Sequence, residues 1–386
     1  VFQIIINLVN MIVKSLKTKF AKRGVRTLTS ATHIPIPNKP RDASVSICPG
    51  EGIGPQLVDS VMEIFNYLKV PLNYDMIDYS SLKRGESNQI LQKNKCLLLG
   101  PVSNKTCEEE KKGICHQQIL KELDAYASVV NPISLPGVDT KEKDIDLLVI
   151  QQTDRGYQAD YGSTAEYDDI SSVWITPHRK SKKIAEYTFN NAIMSNRNKV
   201  TALHQANIRK ECHGEFLMNT RNIASENPSI LYEEMYLGEG AAKLANDPEA
   251  FDLIIMPSNC GDIVSNIAMS LVGGEGCVPA VHIGDRYTIF QQGGTNPEYE
   301  QTQNGKANPT GLILSASMML RQASLPSFAD LIEDAVFKTY ANSEARTQEL
   351  GGNYSTEEFT RKIIDNIHVR PFQRKSVKEE KQALTL

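Results

Sequence analysis

Three oxygen-bearing side chains, Asp252, Asp262 and Asn266, lie within fifteen residues on the stretch FDLIIMPSNCGDIVSNIAMSLVGGEG, which runs from Phe251 to Gly276. Residues four apart on an α-helix share a face, so Asp262 and Asn266 would present two hard ligands together. Asp252 would add a third, from nearby or to a partner chain. That donor set suits a divalent cation such as Mg2+ or Mn2+. The competing reading is simpler: a carboxylate in a first helical turn complements the helix dipole.

The elements that must position these groups follow from local pattern. Leu253–Met256 is an apolar run closed by Pro257 and reads as a short buried strand. Ser258–Gly261 reads as a turn. Asp262 then opens a helix with Ile263, Ile267 and Leu271 inward, ended by Gly273 and Gly274. Near the start, the strand-like Ser44–Cys48 leads through PGEGIGP (Pro49–Pro55) into an amphipathic helix carrying Leu57, Val58, Val61, Met62, Phe65 and Leu68. Glycines between a strand and a helix can cradle a phosphate. The spacing is not that of a dinucleotide fingerprint, however, and a turn needing positive φ accounts for them equally.

Further strands are expected over Pro71–Tyr79, Lys95–Leu99, Ile145–Ile150, Val173–Pro177, Lys199–Leu203 and Val278–His282. Helices are expected over Ser181–Ser195 (Ile184, Tyr187 and Ile193 inward), Thr310–Arg321, Phe328–Tyr340 and Thr356–His368, with a long polar loop at Phe290–Pro309. Such alternation predicts an α/β fold with a largely parallel sheet.

With 386 residues and 40% hydrophobic content, the chain can bury a sizeable core in two lobes. A net charge of −4 gives no footprint for nucleic acid or for a basic membrane patch. Seven cysteines without any C-x-x-C spacing fit free thiols in a reducing compartment. Met11–Arg41 holds eight Lys or Arg and no acid, with Ile12, Leu16 and Phe20 at helical spacing. Residues 1–42 therefore read as a mitochondrial transit peptide that targets the matrix. A signal anchor over residues 1–13 is the rival, and is too short to span a bilayer. Residues 372–386 are charged and expected to be a disordered tail.

Several ordered motifs carry a resemblance. They are PGEGIGP, SLPG at 134–137, KSKKIAEYTF at 180–189, KVTALHQAN at 199–207, FDLIIMP at 251–257, ANPTGLILSASMML at 307–320 and LGG at 350–352. In this order they resemble the β-decarboxylating dehydrogenases that act on isocitrate and isopropylmalate, from about Val45 to Ile367. Within that family the chain is most similar to the non-catalytic subunits of the NAD-dependent branch, gamma-type with beta-type as the near alternative. The resemblance implies a large lobe (43–125 with 273–371) and a small lobe (126–272). It also implies a clasp at about 154–176 that pairs with a second subunit.

The family's chemistry makes the departures informative. Several Arg bind the substrate carboxylates bidentately, and a cation polarises the ketone. A Lys acts as base and a Tyr as proton donor. At the matched positions this chain has Gln151 and Asn131 for Arg, with Lys121 at best before the strand and Arg155 out of register. Gln205 stands for the Lys and Gln158 for the Tyr, with Tyr157 one residue early. An amide cannot act as a base at neutral pH. Asp252 and Asp262 would remain as a metal site weakened by Asn266. Gly294, Thr295 and Asn308 would remain of a nucleotide site for NAD or ADP.

The resemblance thus implies a catalytically inactive subunit in a hetero-oligomer with a catalytic alpha-type isocitrate dehydrogenase subunit. The alternatives are an active NAD(P)-dependent dehydrogenase with altered substrate, and a homomeric paralogue without enzymatic role.

Overall fold

The run of buried strands is what organises the chain. The computed structural model describes residues 44–79, 94–102, 116–153, 157–161, 171–175, 178–294, 305–342 and 344–368. In order the elements are β1 (Ser44–Cys48), α1 (Gly54–Leu68), β2 (Asn73–Met76), β3 (Cys96–Leu99), α2 (His116–Glu122), β4 (Ala125–Val130), β5 (Leu148–Gln152), β6 (Tyr157–Tyr161) and β7 (Ser171–Ile175). They continue with α3 (His178–Met194), β8 (Lys199–His204), α4 (Lys210–Glu226), β9 (Leu231–Tyr236), α5 (Leu237–Asn246), β10 (Leu253–Met256) and α6 (Ser258–Ser270). The last are β11 (Pro279–Gly284), β12 (Thr288–Gln292), α7 (Thr310–Gln322), α8 (Pro326–Asn342) and α9 (Thr356–Asp365).

Ten strands form one sheet in the order β2-β1-β3-β12-β11-β4-β5-β10-β8-β9. Its two flanks are parallel, as the alternation predicts. The centre is not: β4 and β11 run antiparallel to each other and to their outer neighbours β5 and β12. β3, β4, β10 and β11 are buried at every residue; β3 (CLLL) and β10 (LIIM) accordingly read as continuous apolar runs, whereas β4 and β11 also bury Ser128 and His282. β6 and β7 form a separate antiparallel ribbon, Gln158 opposite Trp174, inside the segment expected to be the clasp.

The PGEGIGP turn is explained by backbone crowding. Gly50 has φ +76°, and a Cβ there would lie 2.4 Å from the Pro101 carbonyl. The turn reading therefore suffices. Three expectations need correction. Ile193 is half exposed at the end of α3 rather than inward. β12 occupies the first part of the stretch expected to be a polar loop. α6 begins at Ser258, four residues before the expected start, with Pro257 as its extended N-cap.

That earlier start rotates the α6 assignment. Cys260, Val264, Ala268 and Met269 face the core, Ile267 and Leu271 are half buried, and Ile263 is 57% exposed. It also removes Asp262 from the first turn, so dipole complementation does not explain that residue. The five cysteines within the described residues are all free thiols. No described helix is long and apolar enough to cross a membrane. Residues 1–42 and 372–386 lie outside the described residues.

Candidate functional site

β5 and β10 run parallel, and α6 springs directly from the C-terminal end of β10. A crevice beyond the carboxyl ends of parallel strands is where α/β folds place ligands. Here it is a cavity of about 310 Å³, walled by α2, by β4, β5 and β11, and by one face of α6. Asp262 and Asn266 both line it, as the helical spacing predicts.

Gln151, at the position where the family resemblance implies Arg, also lines this cleft. Its amide lies against the backbone of α6 where Gly261 has no side chain. A Cβ at Gly261 would come within 1.6 Å of Gln151 Oε1. Gln151 Nε2 donates to Asp262 Oδ1 at 3.4 Å, a long hydrogen bond. Gln151 Oε1 has no partner, and the same holds for Gln152 Nε2 and Ser265 Oγ, both in the cleft wall. His282 lies edge-on to His116, ring centroids 5.1 Å apart. Burial, then the neighbouring His116, hold the His282 imidazole well below its ordinary pKa, so it is neutral. Among the described lining residues there is no Lys or Arg. Lys121 sits exposed in the last turn of α2, outside the lining.

Asp252 is elsewhere. It precedes β10 while Asp262 follows it, and a four-residue strand at about 3.3 Å per residue keeps them on the order of 13 Å apart. Asp252 Oδ1 accepts from Arg197 Nη1 at 2.7 Å, and Oδ2 accepts from the Asn198 amide at 2.8 Å. Arg197 is 6% exposed and also binds Asp146 at 2.6 Å. Asp252 is therefore one of two carboxylates on the buried Arg197, in a network that joins β10 to the turn before β8. Within one chain Asp252 does not join Asp262 and Asn266, and no cluster of three His, Cys, Asp or Glu able to hold a metal occurs among the described residues. Asp262 and Asn266 would leave a hard cation to complete its shell with water or with groups from outside this chain.

Gln205 is not in the cleft lining either. It follows β8, where its Oε1 accepts a long contact from Cys260 Sγ at 3.9 Å. Its backbone amide donates to His213 Nδ1 at 2.9 Å. Burial and then the Arg209 charge push the His213 imidazole down to about 4, leaving it free to accept. Asn131 is buried at the end of β4, outside the lining, with its amide bonded to the Pro279 carbonyl. Gln158 lies in β6, and Arg155 lies outside the described residues.

The nucleotide positions are no better disposed. Asn308 is 4% exposed and committed to an interior knot: its Nδ2 donates to Cys277 Sγ at 3.2 Å and its Oδ1 accepts from the Thr310 amide at 3.1 Å. A Cβ on Gly294 would lie 1.7 Å from Glu275 Oε2, so the Glu275 carboxylate already covers that backbone. Glu349 stands beside it, accepting from the Gly276 amide at 3.3 Å. Burial, offset by that amide and reinforced by the Glu275 charge, pushes Glu349 up to about 7. Burial also raises the Glu275 carboxyl above its ordinary value, so two acids crowd this spot with their charges disfavoured. Thr295 lies outside the described residues. The sequence reading missed Glu275 and Glu349, whose only signal is acids interrupting Gly-rich segments.

Comparison with known proteins bears on this geometry. A family model described as isocitrate/isopropylmalate dehydrogenase matches residues 44–367. The chain is 34% identical to the mitochondrial NAD isocitrate dehydrogenase regulatory subunit 1 of Arabidopsis thaliana, covering 92% of this chain and 97% of the relative. It is 31% identical to the mitochondrial NAD isocitrate dehydrogenase subunit beta of Bos taurus, over 84% and 86%. The crystal structure of isocitrate dehydrogenase from Methylococcus capsulatus superposes with a TM-score of 0.77 at 25% identity, covering 84% of this chain and 99% of that one. The relatives are mitochondrial proteins, in agreement with the matrix location read from residues 11–41.

Proposed function

The chain belongs to the isocitrate/isopropylmalate dehydrogenase family, and within it we propose a non-catalytic subunit of a mitochondrial NAD-dependent isocitrate dehydrogenase, supporting a catalytic alpha-type partner. The observation that carries this reading is the cleft itself. A tricarboxylate needs guanidinium or ammonium groups to balance its charge, and the described wall offers the Gln151 amide, Asp262 and Glu275 instead. The position matched to the base is Gln205, outside the lining and unable to accept a proton at neutral pH.

Assembly with another chain is supported by the surface. Ile263 on α6, Ile208 in the turn after Gln205 and Met218 on α4 are large apolar residues left to solvent. Such exposure marks interaction sites when the residues are contiguous, and the contact between Gln205 and Cys260 brings the first two elements together. The β6–β7 ribbon is a two-stranded sheet apart from the main one, and such ribbons are marginal in water without a partner. In this reading the two lobes meet where β11 adjoins β4, the antiparallel centre of the sheet.

The test is a rate assay on the purified chain with isocitrate, NAD and Mg2+. Turnover at the buffer background is expected. A rate near that of a catalytic family member would contradict the proposal.

A further inference from the structure

We propose that Arg179, Lys180 and Lys183, at the start of α3, form an ionic latch across the joint between the two lobes and hold the cleft in one shape. This rests on the proposed division into two lobes and is independent of whether the chain turns over isocitrate. α3 belongs to the small lobe, where Ile184, Ala185 and Phe189 are fully buried in the core. Its first turns reach the large lobe with charge. Arg179 pairs with Asp285 at 3.2 Å, in the turn between β11 and β12, and Lys183 pairs with the same carboxylate. Lys180 pairs with Asp124 at 2.9 Å, and Arg179 reaches that carboxylate too, at 3.8 Å. Asp124 follows α2 with φ at +47°, a left-handed conformation that Asp tolerates better than most residues. Three cations on one small-lobe helix thus hold two carboxylates on large-lobe turns.

An isolated exposed pair would contribute little, but these five groups form a network. Its inner members are sheltered: the Lys180 side chain is 14% exposed and that of Lys183 29%. Lys183 also stands 5.8 Å from the centre of the Tyr126 ring, which keeps the ammonium at the joint.

The latch adjoins the cleft. Lys180 Nζ and Thr153 Oγ1 donate to the same Ala125 carbonyl, at 3.5 and 2.6 Å, and Thr153 lines the cavity. Ser181 Oγ, the next residue of α3, donates to Gln152 Oε1 at 3.4 Å, and Gln152 lines the cavity as well. A shift of α3 against Asp124 and Asp285 would therefore move the cleft wall. Ion pairs permit such a shift where apolar packing would not, because charge reversal turns their attraction into repulsion. Salt weakens them as well, with a screening length of about 10 Å at 0.1 M and about 3 Å at 1 M.

The test is a pulsed dipolar distance measurement on the intact chain, with spin labels on encoded keto amino acids at Asp59 of α1 and Ala242 of α5. Both positions are exposed and lie outside the latch. The parent should show one distance at low salt. Lys183→Glu should add a second, longer distance, its population raised about tenfold, and Lys183→Glu combined with Asp285→Lys should return the single distance. Arg179→Gln, at a more exposed position, should show the same second distance at lower population even if Lys183→Glu fails to fold. A distance unchanged by these substitutions, or a second distance that persists in the charge swap, would overturn the latch. Labels that move in 1 M NaCl but not on substitution would leave the lobe division standing and the latch refuted. Labels that move under no condition would refute both.

Discussion

Gln151 and Gly261 are fitted to each other: the amide of one fills the space that a side chain on the other would need, within 1.6 Å of a hypothetical Cβ. The strand that should carry a substrate guanidinium therefore carries a group locked against α6. Gly261→Ala should destabilise the fold by about 1–3 kcal/mol, the usual cost of overpacking. The same change in a Gln151→Gly background, which also removes the Gln151 Cβ lying 2.6 Å from the new one, should cost much less. Chemical denaturation of the four proteins gives the coupling energy, and strict additivity would show that the two residues do not meet.

Asp252 and Arg197 make the second separable case. Removing one partner of a buried ion pair strands the other, a loss of about 3–5 kcal/mol. Arg197 retains Asp146, so Asp252→Ala should fall at about 3 kcal/mol, the lower end of that range. Were Asp252 a metal ligand lent to a partner, the variant would keep its stability and lose metal affinity in the assembly.

Much of this architecture is legible in the residues. β10, the α1 face with Leu57, Val58, Val61 and Phe65, and the free thiols follow from pattern alone. The failures have physical causes. Ser258–Gly261 looks like a turn because Ser, Asn and Gly favour turns, yet a strand feeding straight into a helix needs no separate turn. The large residues Ile263, Ile267 and Leu271 form the obvious stripe on α6, while the core contacts are the smaller Cys260, Val264 and Ala268. Asp252 is near Asp262 in sequence, but an extended strand carries them to opposite ends of β10. Residues 210–246, which form α4, β9 and α5, carried no pattern strong enough to be placed.

Glu349 should impose a pH dependence. Its folded pKa, about 7, lies above the ordinary carboxylate value of 4.5. The folded state thus holds the proton that the unfolded state releases, and stability declines as pH rises from about 4.5 through 7. Glu349→Gln should be more stable than the parent at pH 8, with the two converging near pH 4. Thermal melts at both pH values check this, and identical profiles would show that the carboxylate is ionised throughout.

Restoring one chemical group should not restore chemistry. Gln205→Lys places an ammonium beside Cys260, outside the cleft, and leaves its wall without a substrate guanidinium among the described residues. NADH formation with isocitrate, NAD and Mg2+ should stay at background in this variant. A gain of about a hundredfold over background, the scale of a positioned general base, would mean that the rest of the machinery is intact.

Assembly without catalysis is the property that sets this chain apart from a catalytic subunit. The decisive measurement is co-expression with a catalytic NAD-dependent isocitrate dehydrogenase subunit, followed by purification and a rate assay of each chain alone and of the mixture. This chain should co-purify, raise the partner's rate and be inert by itself. Turnover of isocitrate by this chain alone would contradict it, as would failure to associate with the catalytic subunit.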